Sequence, residues 1–146
     1  MGARRAERQV VVDATPQECF DALVDFESYP DWQQAVAECE VRSRDRDGRG
    51  RRVYVEIAAK VTRIAYTVDY SYEEPHLISW VLVEGDLRGV DGELVLEDRG
   101  DGTTLATYAL RIDGGRSMPA KLASVLSDQM TRRSVEDLKA RVEATG

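Results

Sequence analysis

Apolar and polar positions along this chain follow a helical period near the N-terminus, strict alternation through the middle, and a helical period again at the end. Arg8 to Asp13 carries a Val10-Val11-Val12 run and predicts a first strand. Thr15-Pro16-Gln17-Glu18 reads as a helix start, because Thr15 can cap, Pro16 suits the first helical position and Glu18 completes a capping box. Cys19, Phe20, Leu23 and Val24 form one face of that helix, which stops near Asp25. Ser28-Tyr29-Pro30-Asp31-Trp32 predicts a second, short helix.

From residue 37 to residue 112 the period is two. Ala37, Cys39 and Val41 alternate with acidic and basic neighbours, and a charged hairpin follows at 43–51. Val53, Val55, Ile57 and Ala59 then alternate with Tyr54, Glu56 and Lys60, and Ile64, Tyr66, Val68, Tyr70 and Tyr72 continue the pattern. Ile78, Trp80 and Leu82 share the next face, followed by Leu94 and Leu96, then Ala106, Tyr108, Leu110 and Ile112. Alternation over so many short segments predicts one antiparallel sheet with one face wet and one covered, and a meander is the economical topology. The chain contains no Asn, so Asp47-Gly48, Asp91-Gly92, Asp101-Gly102 and Asp113-Gly114 are the expected turns.

A long helix is expected from Ser117 to about Glu143. Leu122, Val125, Leu126 and Gln129 lie on one side of it, and Val135, Leu138 and Val142 lie nearly opposite. The drifting ridge through Leu126, Met130, Ser134, Leu138 and Val142 joins the two halves. Either the helix kinks, or its C-terminal half packs on the sheet while its N-terminal half meets a cavity or a partner.

Composition narrows the chemistry. At 146 residues one domain spanning 1–146 is expected, large enough for a core with room for a cavity. A net charge of −7, 42% hydrophobic and 32% charged residues suit a folded, soluble chain. The longest apolar stretch, Leu77 to Val83, is interrupted by Ser79, so no membrane span is expected. One His and two Cys cannot supply a four-ligand Cys/His zinc site, and neither metal nor cofactor is expected. Met1 to Arg8 is basic with no apolar segment behind it, unlike a signal peptide, and Cys19 and Cys39 read as buried reduced thiols. A cytoplasmic location follows as the expectation.

Three candidate chemistries have bland alternatives. His76, after Glu74-Pro75, reads as a loop residue; Glu84 and Asp86 read as solvated loop acids. The six Arg between Arg42 and Arg52 are interleaved with Asp45 and Asp47 and lack aromatic neighbours for base stacking. They read as a solvated hairpin with local ion pairs, and neither DNA nor RNA or ribosome contact is expected. Tyr66, Tyr70 and Tyr72 on one strand face are more informative, since a buried hydroxyl needs a partner.

The order strand, two short helices, strand meander and long helix resembles the START-like (SRPBCC) superfamily, and within it the bacterial polyketide cyclase/dehydrase and coenzyme-Q-binding-like group. The resemblance rests on Ala14-Thr15-Pro16 with Phe20 and Leu23, Tyr29-Pro30-Asp31-Trp32, Ile78-Ser79-Trp80, Gly85, Gly92, Asp101-Gly102-Thr103-Thr104, and Leu138-Lys139 with Glu143. It implies an α+β helix-grip fold, a curved antiparallel sheet wrapped around the C-terminal helix with a hydrophobic cavity between them. By strand parity, Val55, Tyr66, Val68, Tyr70, Trp80, Leu82 and Tyr108 would face that cavity, alongside Val53, Ile57, Leu94 and Leu110. Leu122, Leu126 and Met130 would close it from the helix, and Trp32 would stand near the mouth. The resemblance implies binding or transport of a hydrophobic small molecule (lipid, isoprenoid or polyketide-like). Two alternatives stay open: a polyketide aromatase/cyclase, with Tyr66, Tyr70 and Tyr108 orienting the chain, and a macromolecular partner role through the Arg-rich hairpin. A homo-oligomer through the first strand is compatible with either.

Overall fold

The computed structural model describes residues 5–58 and 63–145; the expected strand positions Ala59 and Lys60, and the first four residues of the N-terminal segment, lie outside them. Strand β1 (Arg5–Val12) leads into α1 (Pro16–Leu23), a single 3-10 turn (Phe26–Ser28) and α2 (Tyr29–Trp32). Six strands follow: β2 (Val36–Arg44), β3 (Gly50–Ala58), β4 (Arg63–Glu73), β5 (Leu77–Gly85), β6 (Gly89–Asp98) and β7 (Thr104–Asp113). Helix α3 (Ala120–Thr145) closes the chain. The seven strands form one antiparallel sheet in the order β1-β7-β6-β5-β4-β3-β2, a meander whose last strand is flanked by the first. This is the helix-grip fold.

The capping box at α1 forms as its sequence predicts. The Thr15 hydroxyl accepts from the Glu18 N–H at 3.2 Å, and the Glu18 carboxylate accepts from the Thr15 N–H at 3.1 Å. That start aims Cys19, Phe20 and Leu23 into the core, where each is at most 2% exposed. Phe20 meets Tyr72 edge-on at 5.9 Å, and the Tyr72 hydroxyl donates to the Gly50 carbonyl at 2.5 Å.

Four local departures have physical causes. Strand β1 begins at Arg5 rather than Arg8, because β7 continues to offer it partners as far as Arg111. Asp91-Gly92 is no turn. It lies inside β6 opposite Trp80, and a Cβ on Gly92 would stand 2.4 Å from the Trp80 ring, so the glycine makes room for the indole. Helix α3 begins at Ala120 rather than Ser117, because Pro119 forces Met118 into an extended conformation and Gly115–Ser117 forms a separate 3-10 turn. Finally, a bulge between β4 and β5 pairs Thr67 with Glu84 but Val68 with Leu82, leaving Val83 as the extra residue. Gly85, at φ +139°, lies against Tyr66, whose Cα would be 2.5 Å from an added Cβ.

Helix α3 packs chiefly on β1 and β7, with α1 against it. Its C-terminal half buries Val135, Leu138 and Val142, while Leu122 and Val125 are 54% and 47% exposed. Leu122 therefore does not close a cavity. At 100° per residue it lies about 80° around the helix from Met130, turned toward solvent.

Candidate functional site

Cross-strand register brings the site together. Val55 pairs with Tyr66, Tyr70 with Trp80, and Leu94 with Tyr108, all on the face that α3 covers. A cavity of about 50 Å³ lies there, between β3–β7, α3 and the segment joining α1 to β2. Of the residues expected from sequence, Val55, Tyr66, Val68, Tyr70, Trp80, Leu94, Tyr108 and Met130 line it, while Val53, Ile57 and Leu110 are buried outside the lining. An aromatic run crosses its wall: Phe26 to Tyr70 at 4.6 Å, Tyr70 to Trp80 at 5.5 Å, and Trp80 to Tyr108 at 5.4 Å between ring centres.

The other expected residues stand elsewhere. Leu82 pairs with Val68 just before the bulge and is half-buried against the core, outside the lining. Leu126 is half-buried against the core, and Leu122 is exposed. Trp32 packs edge-on against Tyr29 at 5.4 Å; its indole N–H donates to the Ser28 hydroxyl at 2.9 Å, and the Arg141 guanidinium lies 5.8 Å over its ring. On the helix side the lining is Met130, Ser134 and Leu138. These are three consecutive members of the i, i+4 ridge, displaced along the helix from the expected trio.

Sequence reasoning also passed over Gln33, Ala35 and Val36, which α2 and the start of β2 carry into the cavity, and Tyr29 and Leu23 from the two short helices. No periodicity marks the α2–β2 connection. What holds it in place is Asp137, whose carboxylate accepts from the Gln34 backbone N–H at 2.9 Å and from its side-chain amide at 3.2 Å.

The polar groups of the cavity fall into two sets. On one edge the Ser134 hydroxyl donates to the Gln33 side-chain carbonyl at 3.5 Å, beside Tyr108. On the other, Tyr66 and Tyr70 line the cavity with hydroxyls that have no hydrogen-bond partner among the described residues. The Tyr29 hydroxyl, by contrast, donates to the Leu23 carbonyl. Burial pushes the phenols of Tyr29, Tyr66, Tyr70 and Tyr108 above their ordinary range, so at neutral pH all four keep their protons. Among the described residues, no lining side chain is ionised at neutral pH.

The remaining candidates have structural roles. Asp86 accepts from the Ala65 N–H at 2.9 Å and anchors the β5–β6 turn, while Glu84 is exposed at the end of β5. His76 faces the Leu96 carbonyl through Nδ1 at 3.1 Å. In the basic hairpin, Asp45 accepts from the N–H groups of Asp47 and Arg49, Arg49 pairs with Glu74 at 2.9 Å, and Arg52 pairs with Asp69 at 2.9 Å. Arg42 lies 4.8 Å over the Tyr54 ring. Cys19 and Cys39 are buried free thiols, pushed by desolvation up to about 11 and about 12. Among the described residues, no helix is long and apolar enough to cross a membrane.

This architecture recurs in known proteins. A START superfamily protein from Mycobacterium smegmatis superposes with a TM-score of 0.88 at 21% identity, over 97% of this chain and 99% of that one. A protein from Thermus thermophilus gives 0.86 at 17% identity, over 98% and 99%. The Zhui aromatase/cyclase from Streptomyces sp. R1128 gives 0.77 at 15% identity, over 96% and 93%. At these identities the likeness is one of fold. No curated protein matches the sequence. The family model described as polyketide cyclase/dehydrase and lipid transport matches residues 3–143, nearly the whole sequence, and the chain belongs to that family.

Proposed function

We propose that residues 1–146 act as one binding domain that holds a hydrophobic small molecule between the sheet and α3, with Val55, Tyr66, Val68, Tyr70, Trp80, Tyr108 and Met130 as its contacts. The observation that carries this reading is a cavity in the middle of the core, walled by aromatic and aliphatic side chains and edged by a few polar groups. Such a lining is the usual composition of a small-molecule site. Its volume of about 50 Å³ suits on the order of three or four waters, so a ring system must displace lining side chains. Met130 is the adaptable one, being unbranched and attached to the helix half that is least tied down.

Native mass spectrometry of the purified protein, followed by thermal-shift measurement against lipid, isoprenoid and polyphenol panels, tests the proposal. A retained, solvent-extractable ligand, or a saturable rise in Tm, is expected. A chain that stays empty and unshifted across all panels contradicts it.

One observation favours a second reading, polyketide aromatase/cyclase activity: the protonated phenols of Tyr66, Tyr70 and Tyr108 are donors that could stabilise a developing enolate. Cyclisation would also need a group to move the proton, whereas the binding reading needs only the apolar lining. Unchanged cyclised products from a poly-β-ketone after Phe replacement of all three tyrosines would dismiss the second reading.

A further inference from the structure

Resting on the binding reading above, we infer that the cavity selects an uncharged hydrophobic ligand bearing an acceptor oxygen, a ketone above all, and excludes its carboxylate counterpart. Tyr66 and Tyr70 stand on the same face of β4, on either side of Val68, and all three line the cavity. Tyr66 is only 7% exposed. A phenol hydroxyl buried this far normally finds a partner within the protein, as those of Tyr29 and Tyr72 do. Those of Tyr66 and of the half-buried Tyr70 have none among the described residues, and both side chains line the cavity. Two donors are therefore held ready in an apolar wall.

The chemistry of the remaining lining decides what they receive. A carbonyl oxygen can accept from either phenol without bringing a charge into the cavity. A carboxylate could accept the same bonds, but it would bring a full negative charge into a site that offers no cation among its described residues. Burying an unpaired charge costs more than two neutral donors return. The Gln33–Ser134–Tyr108 edge does not change this, since Ser134 and Gln33 already bond each other and none of the three carries a charge.

Three probes of matched shape separate the possibilities: 2-acetylnaphthalene, 2-ethylnaphthalene and 2-naphthoate, titrated at pH 7.5 and followed by NMR chemical shifts. The ketone is expected to bind about tenfold more tightly than the hydrocarbon, roughly the gain of one net hydrogen bond. Naphthoate is expected to show no saturable binding. In the Tyr66→Phe/Tyr70→Phe chain the ketone should lose its advantage and bind like the hydrocarbon. That variant should melt no lower than the parent, because the hydroxyls removed bond nothing in the protein. Naphthoate binding as tightly as the ketone, or an undiminished ketone preference in the double variant, overturns the inference while leaving the binding reading intact. If neither the ketone nor the hydrocarbon binds, the binding reading falls and the inference with it.

Discussion

The two halves of α3 meet the same sheet in opposite ways. In the C-terminal half, large side chains point inward: Val135, Leu138 and Val142 are at most 5% exposed. Polar links fasten this half to the frame, among them those from Asp137 to Gln34, from Lys139 to the Val11 carbonyl at 2.9 Å, and from Glu143 to the Asp13 N–H at 2.9 Å. In the first turns of the helix the most buried positions are small, Ala123 and Ser127, each 1% exposed; the larger Leu122 and Val125 face solvent and Leu126 is only half-buried. The N-terminal half is linked to the sheet by the exposed Arg8–Asp128 pair at 3.0 Å, and such pairs contribute at most about 1 kcal/mol. One half is part of the core and the other is a cover. The cavity lies where they join, under Met130, Ser134 and Leu138, so the lightly held side is the one able to yield to a ligand.

Substitutions that cut into the C-terminal half should have the largest effects. Leu138→Ala removes a side chain only 1% exposed and should cost about 2–5 kcal/mol by chemical denaturation. A cost under about 1 kcal/mol would mean that this half is not the core element. Asp137→Ala strips the acceptor from the Gln34 N–H and should cost about 1.5–3 kcal/mol, with amide exchange accelerated at Gln34.

Acid probes the same half more gently. The Glu143 carboxyl is held below its ordinary value of 4.5, first by Lys139 and then by the Asp13 N–H. The unfolded chain therefore takes up this proton at higher pH than the folded one. The stability that Glu143 contributes is complete above pH 4.5 and is lost as pH falls through the lowered folded value. The stability gap between the parent and Glu143→Gln should accordingly narrow from pH 6 to pH 3; a constant gap would mean that Glu143 is no anchor. The smallest effect belongs to the N-terminal half. Leu122→Ser should change stability by no more than about 0.5 kcal/mol. A loss comparable to that of Leu138→Ala would erase the contrast between the halves.

Much of this arrangement is written in local sequence. The capping box at Thr15 and Glu18 and the alternation through β3, β4 and β7 report local preferences, and they place Val55, Tyr66, Val68, Tyr70, Trp80 and Tyr108 in the cavity wall. What could not be read depends on long-range geometry. The ridge from Leu126 to Val142 was visible, but which of its turns overlies the cavity depends on where α3 crosses the sheet, and that moved the helix contribution from Leu122 and Leu126 to Ser134 and Leu138. Parity held as far as Leu82, which faces the core opposite Val68, and it is the bulge at Val83, without a compositional mark, that ends the alternation there. Asp91-Gly92 looked like a turn because its glycine serves a ring on the neighbouring strand rather than a backbone reversal. Gln33 owes its place to Asp137, about a hundred residues downstream.

The most direct test of a ligand held between sheet and helix is a set of intermolecular NOEs between 2-acetylnaphthalene and the protein. Contacts from the ligand ring to the Met130 methyl and the Trp80 indole, with the acetyl group beside Tyr66 and Tyr70, are the predicted result. NOEs confined to the exposed side chains of Leu122 and Val125, or to the outer face of the sheet at Val81, would contradict it.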